Sequence, residues 1–147
     1  MGVADVLIRR INIEDTDVIT RIQAAITTEP VEIDFKRIVE EKIHRDEDAS
    51  FVAEIKGKVV GYMISYIVYG GFGLDKSAWI ANFGVDPKCM GKGIGRSLAH
   101  EVFQFYRKKG VKNIFTSVQW DSVDLLSFFK TLGFDRSAYF NLIKNIE

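Results

Sequence analysis

Hydrophobic and polar positions change period along this 147-residue chain, and the changes mark a series of short strands and helices. Runs with an apolar residue at every second position predict strands, whereas apolar residues three or four apart predict helices. Glycines, prolines and clusters of charged residues separate the runs. The predicted strands cover residues 6–11, 51–55, 59–69, 77–85, 111–118 and 134–143, and the predicted helices cover residues 14–26, 35–43, 94–109 and 122–131.

The order of these elements along the chain is β-α-α-β-β-β-α-β-α-β. The second and third strands are joined by the short turn Lys56-Gly57-Lys58, which predicts an antiparallel hairpin. The sequence contains no internal repeat, no linker and no low-complexity tract. We therefore predict an α/β fold in a single domain over residues 1–147.

Composition and charge exclude several classes of function. The chain is 47% hydrophobic and 27% charged, with 20 basic and 20 acidic residues, so no net charge favours a nucleic acid or an acidic membrane. The longest uncharged stretch, residues 59–74, is shorter than the roughly 20 residues of a spanning helix. Cys89 is the single cysteine, which suits a reducing cytoplasm, and it shares no metal-ligand spacing with His44 or His100. We expect a cytoplasmic protein without a metal.

Three alternating glycines, Gly91, Gly93 and Gly95, stand between the fourth strand and the third helix. Glycines let the backbone approach a ligand closely, and the N–H groups at a helix start form an anion site. The pattern favours a phosphate-binding corner, although a flexible strand-to-helix turn has the same composition. Arg96-Ser97 does not match the Lys-Ser/Thr pair of a P-loop, and no acidic residue follows at the dinucleotide spacing.

The residues around these glycines resemble a known family. Val85-Asp-Pro followed after a gap by Gly-Lys-Gly-Ile-Gly-Arg resembles motif A of the GNAT family of acetyl-CoA-dependent N-acetyltransferases. The stretch Phe-Phe-Lys-Thr-Leu-Gly-Phe at 128–134 is similar to the Leu-Tyr-x-x-x-Gly-Phe ending of that family. Residues 51–54 and 59–61 resemble its second and third strands. The resemblance extends from about residue 6 to residue 143, and it implies the GNAT fold, a mixed, mostly antiparallel sheet flanked by helices.

The resemblance also implies acetyl-CoA as co-substrate and assigns its contacts. Main-chain N–H groups of the glycine loop would bind the pyrophosphate, Lys92 and Arg96 would add positive charge, and the end of the fourth strand would pair with the pantetheine arm. Met90 replaces the usual Arg or Gln, which weakens this contact, and Ser122 replaces a pantetheine-binding Asn. The implied cofactor-binding residues are Phe83, Gly84, Val85, Met90, Gly91, Lys92, Gly93, Ile94, Gly95, Arg96, Ser97, Ser122 and Phe128.

The residues that move protons in this family are replaced here. The tyrosine that often protonates the departing thiolate aligns with Phe129, which has no transferable proton, and two frequent glutamate positions align with Trp79 and Ser117. The general base and acid are therefore not identified by the sequence. The candidates for substitutes are Glu54, Tyr69 and Asp121, with Tyr66 and Asp124 near them in the chain. Each also suits an ordinary structural role, as a strand residue or a helix cap.

The resemblance implies an N-acetyltransferase that transfers acetyl to an amine by direct attack in a ternary complex. Residues 29–48 carry eight acidic and four basic residues, a net −4 that suits a cationic small amine or a lysine-bearing peptide, although it also suits a solvated helix face. The replaced proton-transfer residues keep a second function open, a non-catalytic acyl-CoA-binding sensor or scaffold. The acceptor, the acyl preference and the oligomeric state do not follow from the sequence, which is compatible with a homodimer.

Overall fold

A computed structural model of the chain describes residues 5–27 and 32–146. The chain divides after residue 117 into two compact units, and each is described by itself. The elements of the first unit are β1 (Val6–Arg10), α1 (Thr16–Ile26), α2 (Phe35–Lys42), β2 (Phe51–Ile55), β3 (Lys58–Tyr69), β4 (Lys76–Val85), α3 (Ile94–Lys108) and β5 (Ile114–Thr116). The second unit contains α4 (Val123–Thr131). None of the helices in these described stretches is long and apolar enough to cross a membrane.

The strands of the first unit form one sheet in the order β1-β2-β3-β4-β5. The pairs β1–β2, β2–β3 and β3–β4 are antiparallel, and β4–β5 is parallel. The prediction of an α/β fold with a mixed, mostly antiparallel sheet is confirmed. The hairpin predicted across Lys56-Gly57-Lys58 is the β2–β3 pair.

Helices cover both faces of this sheet, as the alternation of β3 shows. Tyr62 and Ile64 are buried in one apolar cluster with residues of α1 and α2. Gly61 points the other way, where an added Cβ would meet Ile94 and Leu98 of α3 at 3.0 and 3.3 Å. Because successive strand residues face opposite sides, α1 and α2 pack on one face and α3 on the other.

A buried polar network connects α3 to the middle of the sheet. The hydroxyl of Tyr106 accepts a hydrogen bond from the Ala49 N–H at 3.0 Å and lies 2.7 Å from the Ser65 Oγ. Nearby, Asp48 Oδ1 accepts from the Ile67 N–H at 2.9 Å. These contacts satisfy polar groups that would be costly to leave unpaired in the core. They fix the chain before β2 against β3.

The turn that ends α3 explains why β5 is shorter than the predicted strand over 111–118. The Val111 N–H bonds to the Tyr106 carbonyl and the Gly110 N–H bonds to the Arg107 carbonyl, with Gly110 at φ +77°. This is a Schellman ending, which uses the backbone of residues 110 and 111 to close the helix. Strand pairing then begins at Ile114, opposite Ala78.

The strand predicted over residues 134–143 is wrong, because residues 134–146 form neither helix nor strand. Four apolar side chains of this segment are 90–94% exposed: Phe140, Leu142, Ile143 and Ile146. The residue types favour a strand, but a strand exists only where a second backbone pairs with it. The element order in the described residues therefore ends with α4.

Candidate cofactor site

The glycine loop begins where β4 leaves the sheet. The Asp86 N–H bonds to the Val60 carbonyl at 2.8 Å, and the Asp86 carboxylate accepts from the Lys88 N–H at 3.0 Å. A single 3₁₀ turn, Pro87–Cys89, follows, and the Cys89 N–H bonds back to the Asp86 carbonyl at 2.8 Å. These bonds turn the chain away from the strand and hold the start of the loop.

Two of the loop glycines adopt backbone conformations that disfavour other residues. Gly91 has φ +81° and Gly93 has φ +78°, both in the left-handed region. A Cβ added at Gly91 would meet no atom within 4 Å, so the requirement for glycine there is conformational and the space beside it is open. Residues 91–93 are exposed, as a loop that receives a ligand must be.

The start of α3 directs backbone N–H groups into the same region. The Ser97 N–H bonds to the Gly93 carbonyl at 3.0 Å, so the N–H groups of residues 94–96 precede the first bond of the helix. The positive end of a 15-residue helix dipole adds to them. The Ile94 side chain is buried in the core, so this residue can offer a ligand only its backbone. Arg96 is exposed and presents a cation at the same corner.

The end of β4 extends beyond the partner strand β5. The parallel pairing joins residues 78–80 of β4 to residues 114–116 of β5. Residues 83–85, which include the predicted pantetheine contacts, pair with residues 61–63 of β3 on the other side. The edge of β4 that faces away from β3 is therefore not covered by β5 beyond Ile80. The edge of β4 that β5 does not cover runs toward the glycine loop, which follows β4 in the chain.

A register shift marks the middle of β4. Ile64 pairs with Asn82 and Ser65 pairs with Ile80, so Ala81 is left out of the β3–β4 ladder. Such a bulge bends the strand and changes which side chains face each side. It lies next to the last residue that β5 covers, so the interruption of the β3–β4 ladder coincides with the start of the edge that β5 leaves uncovered.

Ser122 and Phe128, the two cofactor contacts predicted further along the chain, lie in the second unit. Ser122 is the residue before α4, and its side chain makes no capping hydrogen bond to the helix. Phe128 packs edge-on against Phe129 at 5.2 Å between ring centroids, and Phe129 packs against Phe134 at 5.1 Å. Their contact with the cofactor stays a prediction.

Glu54, the first candidate for a base, forms an ion pair. Its carboxylate binds the Arg9 guanidinium, which also binds Asp15 at 2.7 Å. The hydrogen bond with Asp15, assisted by the one with Glu54, raises the pKa of Arg9 above its ordinary value. The cation between the two carboxylates is thus permanent, and Glu54 has a structural partner.

The other two candidates are also placed away from the loop or in the second unit. Tyr69 donates to Glu47 Oε1 at 2.9 Å, a bond that raises the pKa of its hydroxyl. It lies eight residues along β3 from Gly61, the partner of Val85, or about 26 Å at the rise of a strand. Asp121 is exposed just before α4. Of the two candidates in the first unit, Glu54 is therefore paired with Arg9 and Tyr69 with Glu47.

An aromatic row, which the sequence did not predict, crosses three strands beside the bulge. Trp79 pairs with Tyr66 of β3 and with Phe115 of β5 in the sheet register. The Trp79 ring stacks on Phe115 at 4.7 Å and contacts Phe72 at 5.3 Å, and its Nε1 donates to Ser77 Oγ at 2.9 Å. The sequence shows an aromatic residue in each of the three strands, but only the register of the sheet shows that these residues lie side by side. Trp79, which aligns with a frequent glutamate position of the family, is thus part of an aromatic surface.

The acidic segment 29–48 is only partly available to an acceptor. Asp48 is buried and lies 3.0 Å from the Arg45 guanidinium and 3.6 Å from the Lys42 ammonium, while Glu47 accepts from Tyr69. Glu29 lies outside the described residues. Asp48 is thus held by two basic residues of its own segment and does not face an acceptor, while the net charge of the segment is unchanged.

Comparison with known proteins gives a consistent assignment. The pattern of the acetyltransferase (GNAT) family matches residues 16–134. A mycothiol acetyltransferase of Amycolatopsis mediterranei (strain U-32) is 32% identical over 117 residues, which cover 78% of this chain and 37% of that protein. The chain therefore spans little more than a third of that relative.

Two solved structures share the fold at lower identity. A transcriptional regulator from Bacillus halodurans C-125 matches with a TM-score of 0.81 at 20% identity, covering 96% of this chain and 99% of that one. The aminoglycoside N-acetyltransferase AAC(6')-Iy, in complex with a CoA bisubstrate analogue, matches with a TM-score of 0.77 at 18% identity, covering 96% and 98%. On the match over residues 16–134, this chain belongs to the acetyltransferase (GNAT) family.

Proposed function

We propose that the chain is an N-acetyltransferase that binds acetyl-CoA along β4 and the glycine loop and transfers the acetyl group to an amine. The observation that carries the proposal is the corner at residues 91–97, where two glycines are left-handed, the space beside Gly91 is open and the start of α3 presents backbone N–H groups. Family membership and the CoA complex of a structural neighbour support it. The reaction proposed is direct attack in a ternary complex within the cytoplasm.

In the proposed complex the glycine loop binds the pyrophosphate of the co-substrate, and the edge of β4 that β5 does not cover binds its pantetheine arm. N–H groups of residues 91–96 hydrogen-bond to the pyrophosphate, and Lys92 and Arg96 offset part of its charge. The backbone of residues 83–85 pairs with the amide groups of the pantetheine arm. Because the arm lies against a strand, the thioester is held near the bulge at Ala81, where β5 no longer covers β4.

Orientation supplies most of the acceleration in this proposal. The carbonyl carbon of the acetyl-CoA thioester accepts the lone pair of a neutral amine, the C–S bond then breaks and the CoA thiolate leaves. The nitrogen of the new amide releases one proton to water, and the thiolate takes up a proton from water. Holding the two reactants together removes the entropic cost of their encounter. Glu54 stays paired with Arg9, so the ammonium proton passes to solvent water before attack. The protein then accelerates the reaction by positioning the two reactants, and the reaction rate rises with the fraction of the amine that is neutral.

The aromatic row favours a second candidate, an acyl-CoA-binding module without turnover. Trp79 stands where the family often has a glutamate, and its Nε1 is bonded to Ser77. A binding module needs the same loop and the same strand edge but no group that moves a proton. The two candidates therefore differ in turnover and agree in cofactor binding.

The first experiment measures CoA binding by calorimetry in a matched pair of variants. Gly91→Ala and Gly73→Ala each place a methyl at φ +81° or +75° with no atom within 4 Å, so their backbone strain is alike. Gly73 lies in the turn between β3 and β4, at the opposite end from the loop. We expect Gly91→Ala to weaken CoA binding about 10- to 100-fold, the loss of one charge-assisted hydrogen bond, and Gly73→Ala to leave it unchanged.

The second experiment measures thiol release from acetyl-CoA with a panel of small amines and lysine peptides. Acceleration by an amine supports the enzyme. Binding of CoA without acceleration by any member of a broad panel supports the sensor instead. A wild-type chain that binds no CoA, or a Gly91→Ala variant with wild-type affinity, would contradict both candidates.

A further inference from the structure

The side chains of Trp79 and Asn82 project from the same face of β4, although the two residues are three positions apart. Trp79 pairs with Tyr66 and Asn82 pairs with Ile64, and both partners belong to the face of the sheet on which α1 and α2 pack. Residues three apart in a regular strand point to opposite faces, so the bulge at Ala81 produces this arrangement. At the rise of a strand the two residues are separated by about 10 Å or less.

Asn82 carries an amide group that is available to a ligand. The side chain is half-buried, and it makes no hydrogen bond with any residue in the described stretches 5–27 and 32–146. A side-chain amide has one acceptor oxygen and two N–H donors, and such groups usually have a partner when they are removed from water. The amide lies beside the bulge, where the proposed enzyme holds the thioester, so it can bind a group that reacts there.

The aromatic row beside Asn82 indicates the chemistry of such a ligand. Trp79 and Phe115 are half-buried, and Phe72, whose ring contacts Trp79 at 5.3 Å, is 63% exposed. Another aromatic ring that packs against such rings is stabilised beyond the apolar area that it buries. A site that combines one polar group with an apolar wall is typical of small-molecule recognition. The row therefore fits a ligand that has an aromatic group near its polar end.

A cation already lies over the aromatic row. The Lys42 ammonium is 5.0 Å from the centre of the Tyr66 ring, and its carboxylate partner Asp48 is buried and also bound by Arg45. An acceptor with a second positive charge would have to compete with Lys42 for this ring, whereas an uncharged ring would not. Trp79 also replaces the glutamate that would attract such a charge. The charges at the row thus favour an apolar substituent over a second ammonium.

We propose that this face of β4 binds an acceptor whose primary amine carries an aromatic group, an inference that rests on the proposed acetyl transfer. The aromatic row contacts the ring of the acceptor, and Asn82 Oδ1 accepts a hydrogen bond from an N–H of the neutral amine. The amine keeps its lone pair for the thioester carbonyl, and the C–S bond then breaks. The nitrogen of the new amide loses one proton to water, and the CoA thiolate takes one up.

Steady-state kinetics with acetyl-CoA compare 2-phenylethylamine, ethylamine and 1,4-diaminobutane, with kcat/KM calculated for the neutral form of each amine. We expect kcat/KM to be about 10- to 100-fold higher for 2-phenylethylamine than for the other two. Trp79→Phe should keep this preference, and Trp79→Glu should reverse it in favour of the diamine. Asn82→Ala should lower kcat/KM about 10-fold for all three amines and leave CoA affinity unchanged. Equal values for the three amines in the wild type, or an unchanged preference in Trp79→Glu, would overturn the inference and leave the proposed enzyme standing.

Fluorescence of Trp79 measures binding of the acceptor without turnover. The chain has two tryptophans, of which Trp120 is 87% exposed, so the emission of a Trp120→Phe variant comes from Trp79 alone. With CoA bound, 2-phenylethylamine should change this emission saturably, and ethylamine should not. A saturable change without acetylation of any amine would support the aromatic ligand and contradict the proposed enzyme. An unchanged emission in a variant that binds CoA would overturn the inference, whatever the turnover.

Discussion

Gly84 gives the sharpest test of how the sheet is packed, because a single methyl group added there has no room. A Cβ at Gly84 would lie 2.8 and 2.9 Å from Tyr62 Cε1 and Cζ, and 2.9 Å from Ile26 Cδ1. The Tyr62 ring is 1% exposed and packs edge-on against Phe35 at 5.6 Å. The ring therefore cannot move aside without displacing a second buried ring.

The magnitude follows from two opposing effects of the Gly84→Ala substitution. Overpacking a buried site costs about 1–3 kcal/mol, and the lower flexibility of alanine in the unfolded chain returns about 0.5–1 kcal/mol. Because the three contacts at Gly84 are shorter than 3.0 Å, the overpacking cost lies in the upper part of that range, at about 2–3 kcal/mol. The expected net loss of unfolding free energy is then about 1–2.5 kcal/mol, or about 2–10 °C in Tm for a chain of this length. Gly61→Ala is the matched control, since its closest contacts are 3.0–3.3 Å and two of the three are side-chain ends of Ile94 and Leu98.

Urea unfolding followed by circular dichroism measures both variants. The Gly84→Ala loss should exceed the Gly61→Ala loss. Ile26→Val removes one of the three close atoms, so the double variant with Gly84→Ala should recover part of the loss in a double-mutant cycle. A Gly84→Ala variant as stable as the wild type, or a Gly61→Ala variant that is the less stable of the two, would refute the packing described for this face.

Two further predictions concern buried tyrosines. Tyr106→Phe leaves the Ala49 N–H without its acceptor, so urea unfolding should show a loss of about 1–3 kcal/mol, and an unchanged midpoint would contradict the network. Burial raises the pKa of Tyr62 to about 12, above the value of about 10 in an unfolded chain. The neutral hydroxyl therefore contributes stability that is complete below pH 10 and is lost as the pH rises to 12, by up to about 2.7 kcal/mol. Tyr62→Phe should flatten this alkaline decline of the unfolding free energy, and an identical decline in both chains would count against the burial.

The parts of the fold that the sequence predicted correctly depend on local chemistry. The turn at Gly57 and the loop at Gly91 and Gly93 have glycine where φ is positive, and a glycine pattern between periodic runs marks such places. The end of α3 at Gly110 is of the same kind. These features were predictable because each needs a glycine at a positive φ, and the glycine itself is visible in the sequence.

The parts that were missed depend on contacts between distant residues. The partner of Glu54 is Arg9, 45 positions away, and the partner of Tyr69 is Glu47, 22 positions away. Side-chain type alone cannot show that these polar groups are paired. The strand predicted over 134–143 failed for the same reason, because no local property of a segment shows whether a strand edge is present to receive it.

Because Ala81 is left out of the β3–β4 ladder, the alternation of side chains between the two faces of the sheet is reversed between the two halves of β4. Ile80 faces α3 with Ser65, whereas Asn82 faces α1 and α2 with Ile64. Even-numbered residues thus face α3 before the bulge and face α1 and α2 after it, because the extra residue shifts the alternation by one position. Deleting Ala81 would restore one continuous alternation along β4. Either the side chains of the aromatic row or those of residues 83–85 would then turn to the opposite face of the sheet. A chimera that exchanges half of β4 must therefore conserve this single extra residue, whatever side chain it carries.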